Sequence, residues 1–382
     1  MATKKNTATT KAKNKSATTA KPPRKPRAPK VVKIPTTRVG TVALIGRPNV
    51  GKSTLLNKIM GQKISIISDK PQTTRISILG IHTTDRGQII FVDNPGIHKP
   101  LHGLNRRMMN FVYTSLETAD LICLMIDATE KFGHGDEFVL ETMKKATKPI
   151  FLLLNKVDIV KKSPLLLTIN HYKDILPFKE IIPISAVSGL NVDLLETLIY
   201  ENLPLAEKVY SDQEVSDQSE RFLLAEIIRE KVLAHVEKEL PWVTAVYIDA
   251  FEEREPETDS RWREEEDPET NEGDTETTAE AIEQRPVQRV KKPVPAVAGS
   301  SSERHREPVV YIRASIFVER DNHRKIIIGR NGRTIKQIGV EARQEIQKIL
   351  DTRIYLDLRV KVRTRWRDSA DVLDLIEGQK KM

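Results

Sequence analysis

The stretch Gly46-Arg47-Pro48-Asn49-Val50-Gly51-Lys52-Ser53 fits the G-x-x-x-x-G-K-[ST] pattern of a phosphate-binding P-loop. An apolar run at 41–45 precedes it and is typical of a buried strand, and residues 53–60 follow it as a candidate helix. In this context the backbone N–H groups of the loop and of the helix N-terminus point at phosphate oxygens. We expect Lys52 to contact the β- and γ-phosphates and the Ser53 hydroxyl to bind Mg²⁺. The stretch predicts a nucleotide site and leaves the base open.

Composition limits the class of protein. The 382 residues carry a formal net charge of +9, which fits a polyanionic partner such as nucleic acid or an anionic membrane. The single cysteine, Cys123, lies in an apolar run, so no disulfide can form within the chain and we expect a core residue. The chain has no apolar run of the roughly 18 residues that cross a bilayer, and no apolar signal-peptide core. We therefore predict a cytoplasmic protein.

Changes in composition predict two ordered regions. Residues 1–38 are rich in Lys and Thr and lack acidic side chains, which predicts a disordered basic tail; a nucleic-acid-binding arm or a transit peptide are alternatives. Residues 39–205 alternate apolar runs with helical candidates, which predicts a mixed, mostly parallel α/β sheet. A linker at 206–219 leads to an α+β region at 220–378. An acidic stretch at 252–307, which we interpret as a disordered insertion, interrupts that region.

Apolar patterning also predicts individual elements. An edge strand is expected at 76–81 and a strand at 242–250, directly after Pro241. Helices are expected at 52–60, 104–118, 135–146, 191–202 and 220–237.

Two loops after the P-loop supply candidates for the metal and the γ-phosphate. Asp93-Asn94-Pro95-Gly96 follows the strand 89–92, where a carboxylate can bind Mg²⁺ through water and the Gly96 N–H can contact a γ-phosphate. Thr73 and Thr74 lie in a polar loop before the edge strand. A threonine here, which we take as Thr74, can complete the Mg²⁺ ligands in the triphosphate state and order the loop.

The base is specified by Asn155-Lys156-Val157-Asp158, which follows the strand 150–154. A carboxylate at Asp158 can accept hydrogen bonds from guanine N1–H and the 2-amino group, and adenine offers neither donor. Asn155 is expected to tie this loop to the P-loop, and the Lys156 stem to cover the base plane. Ala186, in the turn 185–189 after the last strand, is expected to present its N–H to guanine O6.

These loops together predict a GTP/GDP site with Mg²⁺. The predicted nucleotide-binding residues are Gly46, Arg47, Pro48, Asn49, Val50, Gly51, Lys52, Ser53, Thr54, Asp93, Asn94, Pro95, Gly96, Asn155, Lys156, Asp158, Ser185 and Ala186. The predicted magnesium ligands are Ser53, Thr74 and Asp93. The predicted catalytic residues are Asn49, Lys52, Thr74 and Gly96.

The Gly-Arg-Pro-Asn-x-Gly-Lys-Ser loop and the Thr-Thr-Arg sequence at 73–75 resemble those of the translation-factor-related GTPases. Many GTPases orient the attacking water with a Gln directly after D-x-x-G, but this chain has Ile97 there. The resemblance implies a different device, in which Asn49 helps hold a monovalent cation, often K⁺. Slow intrinsic hydrolysis is expected.

A second motif, Gly329-Arg330-Asn331-Gly332, lies between helical segments. A GXXG loop of the KH type binds the backbone of about four nucleotides, and the order helix, strand, strand, helix–GXXG–helix, strand is that of a type II KH domain. Five isoleucines, at positions 326, 327, 328, 335 and 338, are expected to line the base groove or to belong to the core. The predicted RNA-binding residues are Arg324, Lys325, Gly329, Arg330, Asn331, Gly332, Arg333 and Lys336.

A P-loop GTPase followed by a type II KH domain resembles the Era family of ribosome-assembly GTPases, and 338–343 after the GXXG loop resembles the family closely. The resemblance implies binding near the 3′ end of 16S rRNA in the 30S subunit, with GTP favouring the bound state. It also implies peripheral association with the cytoplasmic side of the cell membrane, and we expect a monomer. Alternatives are a GTPase that acts on another RNA, in tRNA modification or at the membrane, and an RNA-binding module with weak hydrolysis.

Overall fold

The computed structural model describes residues 36–254 and 309–381. The first half of the chain forms a six-stranded sheet in the order β2-β3-β1-β4-β5-β6. Its strands are β1 (Arg38–Gly46), β2 (Ile78–Thr84), β3 (Gly87–Asp93), β4 (Leu121–Asp127), β5 (Ile150–Asn155) and β6 (Glu180–Pro183). All neighbours pair in parallel except β2, which runs antiparallel to β3 at the edge. The prediction of a mixed, mostly parallel sheet is confirmed.

Five helices flank this sheet: α1 (Lys52–Met60), α2 (Gly103–Thr118), α3 (His134–Met143), α4 (Lys162–Tyr172) and α5 (Val192–Asn202). Strands β3, β4 and β5 are buried along their whole length, and two separate apolar cores lie on the two faces. Burial on both faces explains why these strands are continuous apolar runs without alternation. Cys123 is fully buried in one core, as predicted, and burial raises the pKa of its thiol.

The second half is built on a three-stranded sheet in the order β7-β8-β9, with β7 antiparallel to β8 and β8 parallel to β9. Its strands are β7 (Ala245–Arg254), β8 (Val309–Val318) and β9 (Arg353–Val362). Its helices are α6 (Glu220–His235), α7 (Leu240–Val243), α8 (Asp321–Ile328), α9 (Arg333–Leu350) and α10 (Ala370–Gly378). The sheet and the apolar faces of α6 to α9 form a third core, and α10 adds Leu373 to a smaller cluster with Trp366 and two residues of α2. None of the helices in the two described ranges is long and apolar enough to cross a membrane.

Several predicted boundaries were wrong. The strand expected at 242–250 begins only at Ala245, because Pro241 lies in the first turn of the short helix α7, where its fixed φ is suitable. The edge strand β2 begins at Ile78 and not at residue 76. Arg38, assigned to the tail at 1–38, starts β1, and residues 252–254 of the predicted insertion belong to β7. Residues 1–35 and 255–308 of those two predictions lie outside the described ranges.

Besides α7, two helices and one ordered connection were not predicted. Helix α4 leaves Leu166 and Leu167 exposed, so its apolar residues do not follow a clear helical period. Helix α10 follows a stretch of mixed polarity, which gives no signal for its start. The segment 206–219, predicted as a linker, lies along the sheet edge. The Ile81 N–H donates to the Val215 carbonyl at 2.9 Å, and Ser216 pairs with Gly80. This pairing covers the hydrogen-bonding groups of the edge strand β2.

Candidate nucleotide and RNA sites

The P-loop spans the turn from β1 to α1 and wraps around the Lys52 side chain. The Lys52 ammonium is buried and donates to the carbonyl oxygens of Gly46 at 3.3 Å and Arg47 at 2.9 Å. Burial lowers the pKa of Lys52 to about 8, against the opposing charge of Asp93. Gly51 has φ 100°, and a Cβ there would lie 2.3 Å from Asn155 Nδ2. A glycine is therefore required where the loop packs on the Asn155 side chain.

The three predicted magnesium ligands come together at the end of β3. Ser53 Oγ lies 2.6 Å from Asp93 Oδ2 and 3.0 Å from Thr74 Oγ1, and Thr74 Oγ1 lies 3.3 Å from the same carboxylate oxygen. Ser65 Oγ also donates to Asp93 Oδ2, at 2.8 Å. No motif includes Ser65, and nothing in the sequence indicates its role.

The Asp93 carboxylate fits a nearby hard cation. Its Oδ1 atom is buried and has no hydrogen-bond partner among the described residues. Burial raises the pKa of Asp93, while Lys52 and the hydroxyls of Ser53, Ser65 and Thr74 oppose that rise. Two hydroxyl oxygens beside a carboxylate oxygen that lacks a donor are the kind of ligands and water acceptors that Mg²⁺ uses at phosphate sites.

The Asp93–Gly96 turn is docked on the P-loop. A Cβ on Gly96 would lie 2.5 Å from the Pro48 nitrogen, and the Ile97 N–H donates to the Gly46 carbonyl at 3.0 Å. Ile97 is buried in the core, so it does not orient water. His98, which sequence reasoning missed, places its Nδ1 2.7 Å from the Gly96 carbonyl.

Asn94 was predicted to contact the nucleotide, but its side chain is turned into the protein. Its Oδ1 accepts from Ser77 Oγ at 2.8 Å and from Ser115 Oγ at 2.7 Å. The side chain therefore joins β3 to α2 and to the segment before β2, and only its backbone faces the turn. Pro95 lies between Asn94 and the docked Gly96.

Asn155 connects three loops of the predicted base site. The side chain is 2% exposed; Nδ2 donates to the Val50 carbonyl at 2.7 Å, and Oδ1 accepts from the Ala186 N–H at 2.9 Å. The expected tie from Asn155 to the P-loop is thus present. The Ala186 N–H, which we expected at guanine O6, donates to Asn155 Oδ1 in the structure, and its contact with guanine stays a prediction. Ser185 closes its own turn by accepting from the Ser188 N–H at 3.1 Å.

Asp158 and Lys156 lie at the open side of this site. Asp158 is exposed in a short 3₁₀ turn, so its carboxylate is accessible to a base. Lys156 has φ 67°, and its ammonium lies 2.5 Å from Asp127 Oδ2 at the end of β4. Burial tends to raise the pKa of Asp127, but the hydrogen bonds from Lys156 and Thr129 hold it below its usual value. The role of Asp127 in fixing Lys156 was not apparent from the sequence.

The remaining P-loop residues differ in what their side chains contact. Asn49 has φ 63°, and its Nδ2 donates to the Asp69 carbonyl at 2.7 Å, which leaves Oδ1 as the atom suited to a cation. The Arg47 guanidinium pairs with Glu130 at 2.8 Å and Asp136 at 3.1 Å. Val50 is buried, and Thr54 is half-buried in the first turn of α1. Arg47 and Val50 therefore offer the loop mainly their backbone.

The GXXG loop joins α8 to α9. Gly329 has φ 75° and ψ 175°, and a Cβ there would lie 2.2 Å from Thr334 Oγ1; Gly332 has φ 72°. Both positions need glycine, the first also because α9 approaches closely. Five of the predicted RNA-binding side chains are exposed around this loop: Lys325, Arg330, Asn331, Arg333 and Lys336. Arg324 is half-buried and pairs with Asp321 at 2.7 Å.

The two alternatives for the isoleucines each hold in part. Ile327 and Ile338 are fully buried in the core of the second half. Ile326 is 52% exposed, and Ile328 and Ile335 are half-buried next to the GXXG loop. These last three supply apolar surface beside the phosphate-binding groups, as a base groove requires.

Comparison with known proteins supports the interpretation of the first half as a GTPase domain and of the second half as a KH domain. Residues 41–156 match the family model described as a 50S ribosome-binding GTPase, and residues 301–367 match that of the KH domain. One similar structure is Era in complex with MgGDPNP and nucleotides 1506–1542 of 16S ribosomal RNA. It is 34% identical with a TM-score of 0.72, and the match covers 89% of this chain and 98% of that one.

A second is a variant of Aquifex aeolicus Era bound to GDP and tetrafluoroaluminate. It is also 34% identical, with a TM-score of 0.71, over 89% of this chain and 99% of that one. At this identity, over nearly the full length of both relatives, with a GTPase half and a KH half in the same order, the chain belongs to the Era family of GTPases.

Proposed function

We propose that this chain is a GTP-hydrolysing switch that binds 16S rRNA through its KH domain and assists assembly of the 30S subunit. The observation that carries the proposal is that the hydroxyl groups of Ser53 and Thr74 both contact one carboxylate oxygen of Asp93. The same chain also has a GXXG loop. Support for the RNA partner comes from the similar Era that was solved with a 16S rRNA segment.

Each residue of the nucleotide half has a role in this proposal. Lys52 stabilises negative charge on the β- and γ-phosphates, and the Gly96 N–H contacts the γ-phosphate. Asp158 selects guanine. Ser53, Thr74 and Asp93 would hold Mg²⁺, which supplies charge neutralisation between the phosphates when bound. Catalysis then consists mainly of positioning and electrostatic stabilisation of the in-line attack by water.

We further propose that Asn49 Oδ1 helps hold K⁺, which offsets the charge that develops on the γ-phosphate. The orientation of the Asn49 side chain, with its nitrogen bonded to Asp69, supports the proposal because the oxygen is left for the cation. GTP hydrolysis should be faster in K⁺ than in Na⁺, and Asn49→Asp should change that ratio. Equal rates in both salts for both proteins would refute the role of the cation.

The RNA partner is tested by crosslinking the full-length chain to total RNA and sequencing the bound fragments. We expect fragments from the 3′ end of 16S rRNA, and a chain with Arg330→Ala and Lys336→Ala should recover less of them. The family model that matches the GTPase half is described as a 50S ribosome-binding GTPase, so RNA of the large subunit is the second candidate partner. Fragments mainly from 23S rRNA would favour it.

We also propose that the protein is a cytoplasmic monomer with peripheral membrane association. Cell fractionation tests the localisation, and light scattering tests the oligomeric state.

A further inference from the structure

The loop at 61–77, between α1 and β2, lies against the KH half of the chain. Lys63 forms ion pairs with Glu230 of α6 and Glu345 of α9. The Ile67 N–H donates to the Glu230 carboxylate at 3.1 Å. This loop carries Thr74, so a predicted magnesium ligand of the GTPase half rests on a surface formed by the KH half.

Arg229 of α6 holds the residue that precedes Thr74. Its side chain is 2% exposed, and its Nη2 donates to the Thr73 carbonyl. The Glu226 carboxylate fixes the guanidinium by accepting from Nε at 2.7 Å and from Nη2 at 2.6 Å. Because a buried guanidinium with two anchoring bonds has little freedom, the Thr73 carbonyl is held at one place relative to α6.

Arg75 holds the residue that follows Thr74. Its guanidinium is buried, with Nη1 donating to the Thr244 carbonyl at 2.6 Å and Nη2 to the Pro241 carbonyl at 2.8 Å. It lies 5.7 Å from the ring centroid of the fully buried Trp366. All three of these partners belong to the KH half, so the chain on both sides of Thr74 is anchored there.

We propose that Arg229 and Arg75 are positioning residues of the GTPase site, which hold Thr74 against Ser53 and Asp93 from the KH half. The inference rests on the proposed role of Thr74 in the triphosphate state. The nucleotide site is then completed by contacts outside the GTPase half. By linkage, a ligand of the KH half that displaces α6 changes the affinity for triphosphate, and triphosphate changes the affinity for that ligand by the same factor.

The test compares the affinities of the full-length chain for fluorescent GppNHp and fluorescent GDP at saturating Mg²⁺. Arg229→Met should weaken GppNHp binding about tenfold or more, since a charged hydrogen bond to Thr73 is lost, and GDP binding should stay within about twofold. Arg229→Lys, which keeps one donor, should restore part of the difference. A change in stability alone would weaken both nucleotides equally.

The matched control is Arg107→Met. Arg107 of α2 pairs with Asp374 at 2.6 Å and Glu377 at 3.2 Å, so the variant breaks a contact between the two halves that lies outside the 61–77 loop. Its ratio of GppNHp to GDP affinity should equal that of the wild type. If Arg229→Met does not fold, Glu226→Gln, which removes an anchor of Arg229, carries the test.

Three results would overturn the proposal. They are an unchanged ratio in the folded variants of Arg229 or Glu226, an equal loss for both nucleotides, and the same change in the Arg107 control. Thr74→Ala separates the two levels of inference. If Thr74→Ala lowers GppNHp affinity while the Arg229 variants do not, the positioning role of Arg229 is wrong and the role of Thr74 in the triphosphate site is retained. If Thr74→Ala has no effect, both the role of Thr74 and the positioning role of Arg229 and Arg75 are wrong.

Discussion

Replacing Asn155 with Ala tests whether this side chain organises the nucleotide site. The variant removes two buried hydrogen bonds, to the Val50 carbonyl and from the Ala186 N–H. Each partner left without a bond costs about 1–3 kcal/mol, so the upper range is about 2–6 kcal/mol. Water entering the vacated space offsets part of this, and we expect about 2–3 kcal/mol. Both bonds lie within the protein, so this cost reaches the GDP affinity where the nucleotide has to reorder the three loops. At 1.4 kcal/mol per factor of ten, the full cost corresponds to GDP binding about 30- to 150-fold more weakly.

The assay is the equilibrium affinity for fluorescent GDP, together with the thermal unfolding of the nucleotide-free protein. Asn155→Asp is the matched control, because it has the same shape and keeps an acceptor for the Ala186 N–H while losing the donor to Val50. Because it places a buried carboxylate oxygen against the Val50 carbonyl, it should bind GDP at least as weakly as the Ala variant. Wild-type GDP affinity and wild-type thermal stability in the Ala variant would refute the three-loop tie.

Three further predictions follow from other parts of the molecule. Asp158→Asn should shift preference from GTP to xanthosine triphosphate, because the 2-oxo group of xanthine needs a donor; competition binding with an unchanged GTP preference would exclude Asp158 as the guanine reader. Gly329→Ala introduces a side chain at φ 75° and ψ 175°, a backbone region that costs about 1–3 kcal/mol outside glycine. It should therefore lower affinity for a 16S rRNA fragment more than Gly332→Ala, where the nearest atom is 4.0 Å away. Burial tends to raise the pKa of Glu345, but hydrogen bonds from Lys231 and Lys63 hold it below its ordinary 4.5. The stabilisation is thus present above pH 4.5 and lost as the pH falls through the lowered value, so Glu345→Gln should flatten the acid limb of a denaturation profile.

Sequence reasoning located the backbone of the site because each loop needs particular residue types in a particular order. The P-loop, the Asp93–Gly96 turn and the Asn155–Asp158 loop all follow apolar runs, and parallel strands bring their carboxyl ends to one edge. The structure shows the three magnesium candidates in contact there. The prediction of an element depends on the strength of its apolar periodicity. Elements with a strong period were therefore predicted, and α4, whose period is weak, was not.

Residue types and their order therefore determined the fold class, the guanine nucleotide site and the GXXG loop. Tertiary structure alone decided several of the polar pairings. It turned Asn94 inward, bonded the Ala186 N–H to Asn155 and brought Ser65 to Asp93. It also set Arg229 on the carbonyl of Thr73, a residue 156 positions earlier in the chain. A buried donor takes whichever acceptor packing places within reach, and no local pattern records that choice.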